Sequence, residues 1–186
     1  FTMKETKHSI KLYANPAKVI AQFLNLPGET RVINIIQRIK KLNDDEVELL
    51  LAKVMFDFSS RHRNIESIFT DHFNKINSQY KDDLSLFSDS KKLLLGALFT
   101  KEYSIQAAAL FNPSIVPHPD QQGLQPGEQR FVMSLRATGE GHISSVVFRT
   151  GVVGASGEIQ LDAPAVDCSP LKRNEVTEYS KDFIKK

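Results

Sequence analysis

The sequence predicts an α+β protein, helices first and strands after, on three observations. Apolar residues recur at three- and four-residue spacing through most of the chain before Asn112. Prolines then gather at Pro113, Pro117, Pro119 and Pro126, and proline ends helical patterning because it lacks a backbone donor and clashes with the preceding turn. Beyond them, residues 130–137 and 142–153 have the β-branched and aromatic content of strands. The expected organisation is a helical domain over 1–111, a short antiparallel β-meander over 112–168 and a charged tail over 169–186.

Each element has its own signal. Asn15-Pro16 predicts a helix start, with Val19, Ile20 and Phe23 lining one face until Leu26-Pro27-Gly28 interrupts. A second helix runs from Glu29 to about Lys41, with Val32, Ile33, Ile35, Ile36 and Ile39 inward. Asn43 followed by Glu46 reads as an N-cap with a capping-box acid. The stripe behind it, Val47, Leu50, Leu51, Val54, Met55 and Phe58, is the strongest helical pattern in the chain. Ile65, Ile68, Phe69, Phe73 and Ile76 predict a further helix, ending before a loop at Lys81-Asp82-Asp83. Ser88 or Ser90 caps the last one, which holds Leu93, Leu94, Leu95, Ala97, Leu98, Tyr103 and residues 107–110. Being apolar nearly all round, it is expected to be the central helix.

In the second half, Gln122-Gly123 and Pro126-Gly127 bracket a loop. Two strands join through Thr138-Gly139-Glu140-Gly141, and a turn at Gly154 to Gly157 leads to a further strand over 158–161. Three or four strands leave open edges and a poorly covered face. Either the helices cover that face or the strands open a larger β-structure. The tail carries a weak amphipathic stripe, Val176, Tyr179 and Phe183.

Composition narrows the function classes. With 41% hydrophobic and 25% charged residues the chain can bury a core. Its net charge of +2 gives no global reason to expect nucleic acid or an acidic membrane as partner. The single cysteine, Cys168, forms no internal disulfide and no cysteine-based zinc cluster, and nothing near it argues for an activated thiolate. No apolar run approaches the roughly 20 residues that span a bilayer, and no secretory leader is recognisable, so the expected location is the cytoplasm. The histidines His8, His72, His118 and His142 are scattered without metal-ligand spacing, so no metal or cofactor is expected.

Two polar clusters could carry chemistry. RATGEGHISS brings together Arg136, Thr138, Glu140, His142, Ser144 and Ser145. A strand-turn-strand with Arg, Glu and His at one end suits a polyhydroxylated or anionic ligand, since Arg offers a planar fork of donors, a carboxylate accepts from hydroxyls, and glycines admit close approach. The plainer alternative is a solvated hairpin with a surface ion pair. The second cluster, Arg61-His62-Arg63-Asn64, could hold phosphate or a carboxylate, with Asn64 capping the next helix. Local grounds favour a helix C-terminus whose basic residues complement the dipole. Nucleic-acid binding through Arg61 and Arg63 finds no support in a recognisable reading motif.

The run from Leu110 to Gly151, LFNPSIVPHPDQQGLQPGEQRFVMSLRATGEGHISSVVFRTG, resembles the start of the catalytic domain of glycoside hydrolase family 130. SSRHRNIESIF, DHFNKI and LLLGALFTKEYSIQAAALFNPS resemble the branch of that family with a helical extension, so the likeness covers about 14–161. It implies a five-bladed β-propeller of which this chain carries the first blade, and activity on β-mannosides with inversion, by hydrolysis or by phosphorolysis with inorganic phosphate as co-substrate. It places Asn112 and Arg136 on the bound mannose, Ser114 beside them, and Glu140 and His142 at the pocket rim. The family's acid, an Asp in a Gly-x-Glu-Asp-Pro-Arg type motif, does not occur in these residues. The resemblance therefore implies an N-terminal part of such an enzyme, inactive alone, whose helices could bring Arg61, His62 and Arg63 near phosphate. A helical oligomerisation module without catalysis is the competing expectation, and a homo-oligomer fits both.

Overall fold

The computed structural model describes residues 9–80, 84–165 and 168. Four helices and two antiparallel sheets follow in the order β1 (Val19–Phe23), α1 (Glu29–Lys41), α2 (Asp44–Ser59), α3 (Ile65–Gln79), α4 (Asp89–Leu98), β2 (Thr100–Ser104), β3 (Ala109–Pro117), β4 (Gln129–Thr138), β5 (Ser144–Val153) and β6 (Ile159–Leu161). A one-turn 3-10 helix at Glu140–His142 links β4 to β5. β1 and β2 form a two-stranded sheet, and β3 to β6 form a four-stranded meander in sequence order. Among the described residues no helix is long and apolar enough to cross a membrane.

The helix starts obey local chemistry. Asn43 accepts the Glu46 amide at 2.9 Å while Glu46 accepts the Asn43 amide at 2.9 Å, a full capping box. Ser88 accepts from the Lys91 amide and caps α4. Asn64 holds the N-cap position of α3, but its side chain makes no capping hydrogen bond. α4 is the central helix as expected: Leu94, Leu95, Gly96 and Ala97 are buried in it. A side-chain carbon on Gly96 would lie 1.9 Å from the Phe69 carbonyl oxygen, so α3 and α4 meet backbone to backbone there. The core around them takes Val32, Ile36 and Ile39 from α1, Val47 from α2, Phe73 and Ile76 from α3, and Leu84 and Phe99.

Three expectations are corrected. The segment after Asn15-Pro16 is strand β1, not a helix. The Asn15 side chain accepts the Ala17 amide at 3.0 Å and its carbonyl accepts the Lys18 amide at 2.9 Å, so Asn-Pro makes a turn, and residues 19–23 then pair in full register with 104–100. The last helix stops at Leu98 rather than near Leu110. The Thr100 hydroxyl donates to the Gly96 carbonyl at 2.9 Å and satisfies part of the helix end, after which Tyr103 belongs to β2 and Leu110 to β3. Leu98 is 44% exposed against 2% for Leu94, and Ile33 and Leu50 are likewise exposed rather than inward. The pattern of apolar residues identified these helices but overstated the width of their buried stripes.

The meander has four strands, because the proline-bearing stretch is itself β3. It lies at the sheet edge, where a missing proline N–H costs no ladder bond. The register of β3 on β4 shifts between Phe111 and Ser114, a bulge that holds Asn112 and Pro113. The expected boundary at 111/112 thus falls inside one strand. On β4, Phe131, Met133, Leu135 and Ala137 are buried, and Leu12, Ile105 and Leu110 pack against them. The opposite row, Val132, Ser134 and Arg136, faces outward with Val116, Val146 and Phe148 of the neighbouring strands, the last three exposed. The Lys81-Asp82-Asp83 loop, His8 and the stripe Val176, Tyr179 and Phe183 lie outside the described residues.

Candidate functional site

β4 ends at Thr138 with Arg136 exposed on its outer face. Phe111 is its partner across β3, and the Arg136 guanidinium sits 5.1 Å from the centre of the Phe111 ring. That is a cation–π platform, which orients the fork without consuming its donors. Arg136 Nε donates to the Ser144 hydroxyl at 3.0 Å. Immediately after Phe111, Asn112 is exposed in a left-handed conformation (φ 52°) in the bulge. Asparagine tolerates that region better than most residues. The structure thus brings Asn112 next in chain to the aromatic platform under Arg136, with Ser114 two residues further, opposite Ser134. An exposed amide can both donate and accept, and the guanidinium only donates.

Glu140 and His142 lie in the turn after β4. His142 is exposed and left-handed (φ 60°), next to Gly141 at φ 62°. His142 and Asn112 are the two non-glycine residues with positive φ among those described. Such backbone costs energy and concentrates where a site needs it. Glu140 is committed elsewhere: its carbonyl accepts the Tyr103 hydroxyl at 3.0 Å and its carboxylate accepts the Ser104 amide at 3.4 Å. The cluster is solvent-exposed, as a solvated hairpin would be, but Glu140 is turned to β2 rather than ion-paired with Arg136.

The Arg61-His62-Arg63 cluster is a different arrangement. Arg61 grips Glu102 of β2 with two bonds, Nε to Oε1 at 2.8 Å and Nη2 to Oε2 at 3.0 Å. His62, buried, adds Nε2 to the same Oε1 at 2.8 Å. Burial opposes the Glu102 charge, yet the bonds from Arg61 and His62 outweigh it and hold the carboxyl below its ordinary value. Arg61 is raised chiefly by its bond to Glu102. Phe58 backs both side chains, its ring 5.8 Å from the Arg61 guanidinium and 5.8 Å from the His62 ring. Two of the three candidate anion ligands are therefore spent on an internal carboxylate. Arg63 instead lines a cleft of about 410 Å³ with Ser59, Asn64 and Ser67. The basic residues do not act through the α2 dipole alone, as the local sequence suggests. Their partner lies 41 positions away from Arg61, a distance at which no sequence pattern pairs them.

Tyr103, Glu102 and Phe111 were missed by sequence reasoning. The strand-like alternation of Thr100-Lys101-Glu102-Tyr103-Ser104 was available as a signal but was absorbed into the helical reading. Among the described residues no group of His, Cys, Asp and Glu is arranged to hold a metal ion. No protein-family model, curated protein or solved structure matches this chain.

Proposed function

We propose that this chain is the sugar-holding N-terminal part of a cytoplasmic β-mannoside-active enzyme, a glycosidase or phosphorylase like those of glycoside hydrolase family 130, with the meander as the first blade of a five-bladed propeller. The observation that carries the reading is exposed Arg136 paired with Phe111, with exposed Asn112 next in chain in the bulge, near one end of a four-stranded antiparallel meander. Four antiparallel strands are the size of one propeller blade. The uncovered Val116, Val146 and Phe148 supply the apolar face that a neighbouring blade would bury. Asn112 donates to one sugar hydroxyl and accepts from the next, and Arg136 donates in a fork held over Phe111. Neither transfers a proton. An Asp outside these residues protonates the glycosidic oxygen while phosphate or water attacks the anomeric carbon with inversion, and that geometry leaves room for the attacking group.

The test is a titration of the 186-residue chain with β-1,4-mannobiose, monitored by NMR. Shifts confined to Asn112, Arg136 and His142, absent with cellobiose and lost in Arg136→Lys, are expected. Equal response to both disaccharides, or none, defeats the reading. The same chain is expected to show no cleavage of an aryl β-mannoside, because losing a proton donor removes about 10²–10⁴ in rate.

A second reading, assembly through the helices, has its own observation. Leu49 and Phe56 are 73% and 80% exposed on the outward face of α2, a helix apolar on both sides. Light scattering of the chain and of Phe56→Ser tests it, a monomer in both cases removing the reading.

A further inference from the structure

Strand β2 lies between the two polar clusters and touches both. Glu102 is held by Arg61 and His62 of the helical body, while Tyr103 and Ser104 meet the turn that carries Glu140 and His142. We infer that Tyr103 and the Ser104 amide are positioning residues for this turn, fixing the backbone at His142 and, through Ser144, the guanidinium of Arg136. The inference deepens the β-mannoside reading and rests on it only for its ligand.

The turn closes on itself through the Gly139 amide on the Ile143 carbonyl at 2.9 Å and the Ile143 amide on the Glu140 carbonyl at 3.4 Å. Its two central residues, Gly141 and His142, are both left-handed, which glycine adopts freely and histidine only at a conformational cost. Something outside the turn must compensate. The Tyr103 hydroxyl donates to the Glu140 carbonyl at 3.0 Å, and the Ser104 amide donates to Glu140 Oε1 at 3.4 Å. Contact is close enough that a side-chain carbon on Gly139 would lie 2.4 Å from the Tyr103 hydroxyl and 2.6 Å from the Ser104 carbonyl oxygen. The turn is therefore seated on β2 along its first two residues.

The seat also governs the start of the next strand. Ser144 opens β5 opposite Thr138, and its hydroxyl accepts Arg136 Nε at 3.0 Å. Displacing the turn moves Ser144, and with it the second point that fixes the guanidinium over Phe111. Glu140 thus spends its carboxylate on the seat, which makes it a positioning residue as well. β2 itself is anchored on its other side by full pairing to β1 and by Glu102, so through this strand the helical body bears on the geometry of the sheet end.

Tyr103→Phe in the 186-residue chain removes one hydroxyl and keeps the ring. Amide exchange at Gly139 and Ile143, whose amides close the turn, is expected to accelerate about tenfold, the scale of one lost hydrogen bond, with Phe131 and Leu135 of β4 unchanged as internal reference. The affinity for β-1,4-mannobiose is expected to fall by about three- to tenfold in parallel. Unchanged exchange at these two turn amides overturns the inference. Glu140→Gln keeps an acceptor for the Ser104 amide and should exchange like the parent chain, whereas Glu140→Ala should exchange like Tyr103→Phe; indistinguishable behaviour of these two Glu140 variants removes the carboxylate from the seat. If the parent chain binds no mannobiose, the sugar reading fails while the exchange rates still decide the role of β2.

Discussion

In the helical body, apolar side chains from α1 to α4 converge on one interior, and Ile36, Ile76 and Leu95 are fully buried there. In the meander, one row of β4 is buried to a comparable degree, yet Phe148 is 50% and Val146 65% exposed on the other side. The two cores share no residue among those described. A helix has one stripe to bury, which four helices can satisfy mutually, while a sheet has two faces and two edges. The four helices therefore close one shared interior, although α2 still exposes Leu49 and Phe56 on its outward face, while the meander leaves the outer face of its strands uncovered.

The largest effects should come from breaking each core in turn. Leu94→Ala is expected to cost about 2–5 kcal/mol, because it empties a fully packed site. Leu98→Ala, four residues on, should stay within about 0.5 kcal/mol. Urea denaturation measures both, and amide exchange of β4 in Leu94→Ala shows whether the regions unfold separately. Equal loss of protection in β4 would merge them into one cooperative unit. Gly96→Ala should cost about 3 kcal/mol by forcing α3 and α4 apart. An effect near zero would mean that the helices slide past each other easily.

An intermediate effect sharpens the link between the regions. Glu102→Gln leaves Arg61 and His62 without their shared charge and is expected to cost about 1–2 kcal/mol. The pH profile should expose the same groups. His72 is held below its ordinary value of 6.5, first by burial and then by Lys75. Its Nδ1 lies 2.7 Å from the Thr100 hydroxyl, which already donates to Gly96, so His72 carries its proton on Nδ1 when neutral. As pH falls below 6.5 the unfolded chain takes up a proton before the folded one does, and stability present above that pH is lost toward the depressed folded pKa. Glu102, lowered from 4.5, adds a second loss as pH falls from 4.5 through its folded pKa. Melting temperatures at stepwise pH should show both stages, and Glu102→Gln should shrink the lower one, to which Glu158, lowered chiefly by its bond with Ser156, also contributes.

A small change in stability is expected at the sheet end. Arg136→Lys should lower the melting temperature by only a few degrees, since it forfeits a partly exposed cation–π contact worth about 0.5–1 kcal/mol. Binding of mannobiose should nevertheless weaken about tenfold, or about 1.4 kcal/mol, because an ammonium cannot present a fork. Unchanged binding by calorimetry would return Arg136 to the scaffold.

What the sequence determined by itself is local. Asn43 with Glu46, Ser88 before α4, the alternation of Phe131, Met133 and Leu135, and the turn at Gly154 to Gly157 were all legible, because a cap, a period of two and a glycine turn involve residues a few positions apart. Arg136 and the RATGEGHISS run were legible as a candidate cluster by residue type, and Asn112 only through the resemblance. The tertiary structure decided what depends on a distant partner. Residues 19–23 satisfy either a helical or an extended pattern, and the strand form prevails because 100–104 completes its hydrogen bonds. The Ala-rich stretch after Gln106 favours helix locally and becomes β3 because β4 offers it an edge. Glu102 gathers Arg61 and His62, and Glu140 gains a seat on β2, by contacts across 36 to 41 positions. Propensity is a fraction of a kcal/mol per residue, so where a half-buried carboxylate or an open strand edge competes with it, the long-range partner wins.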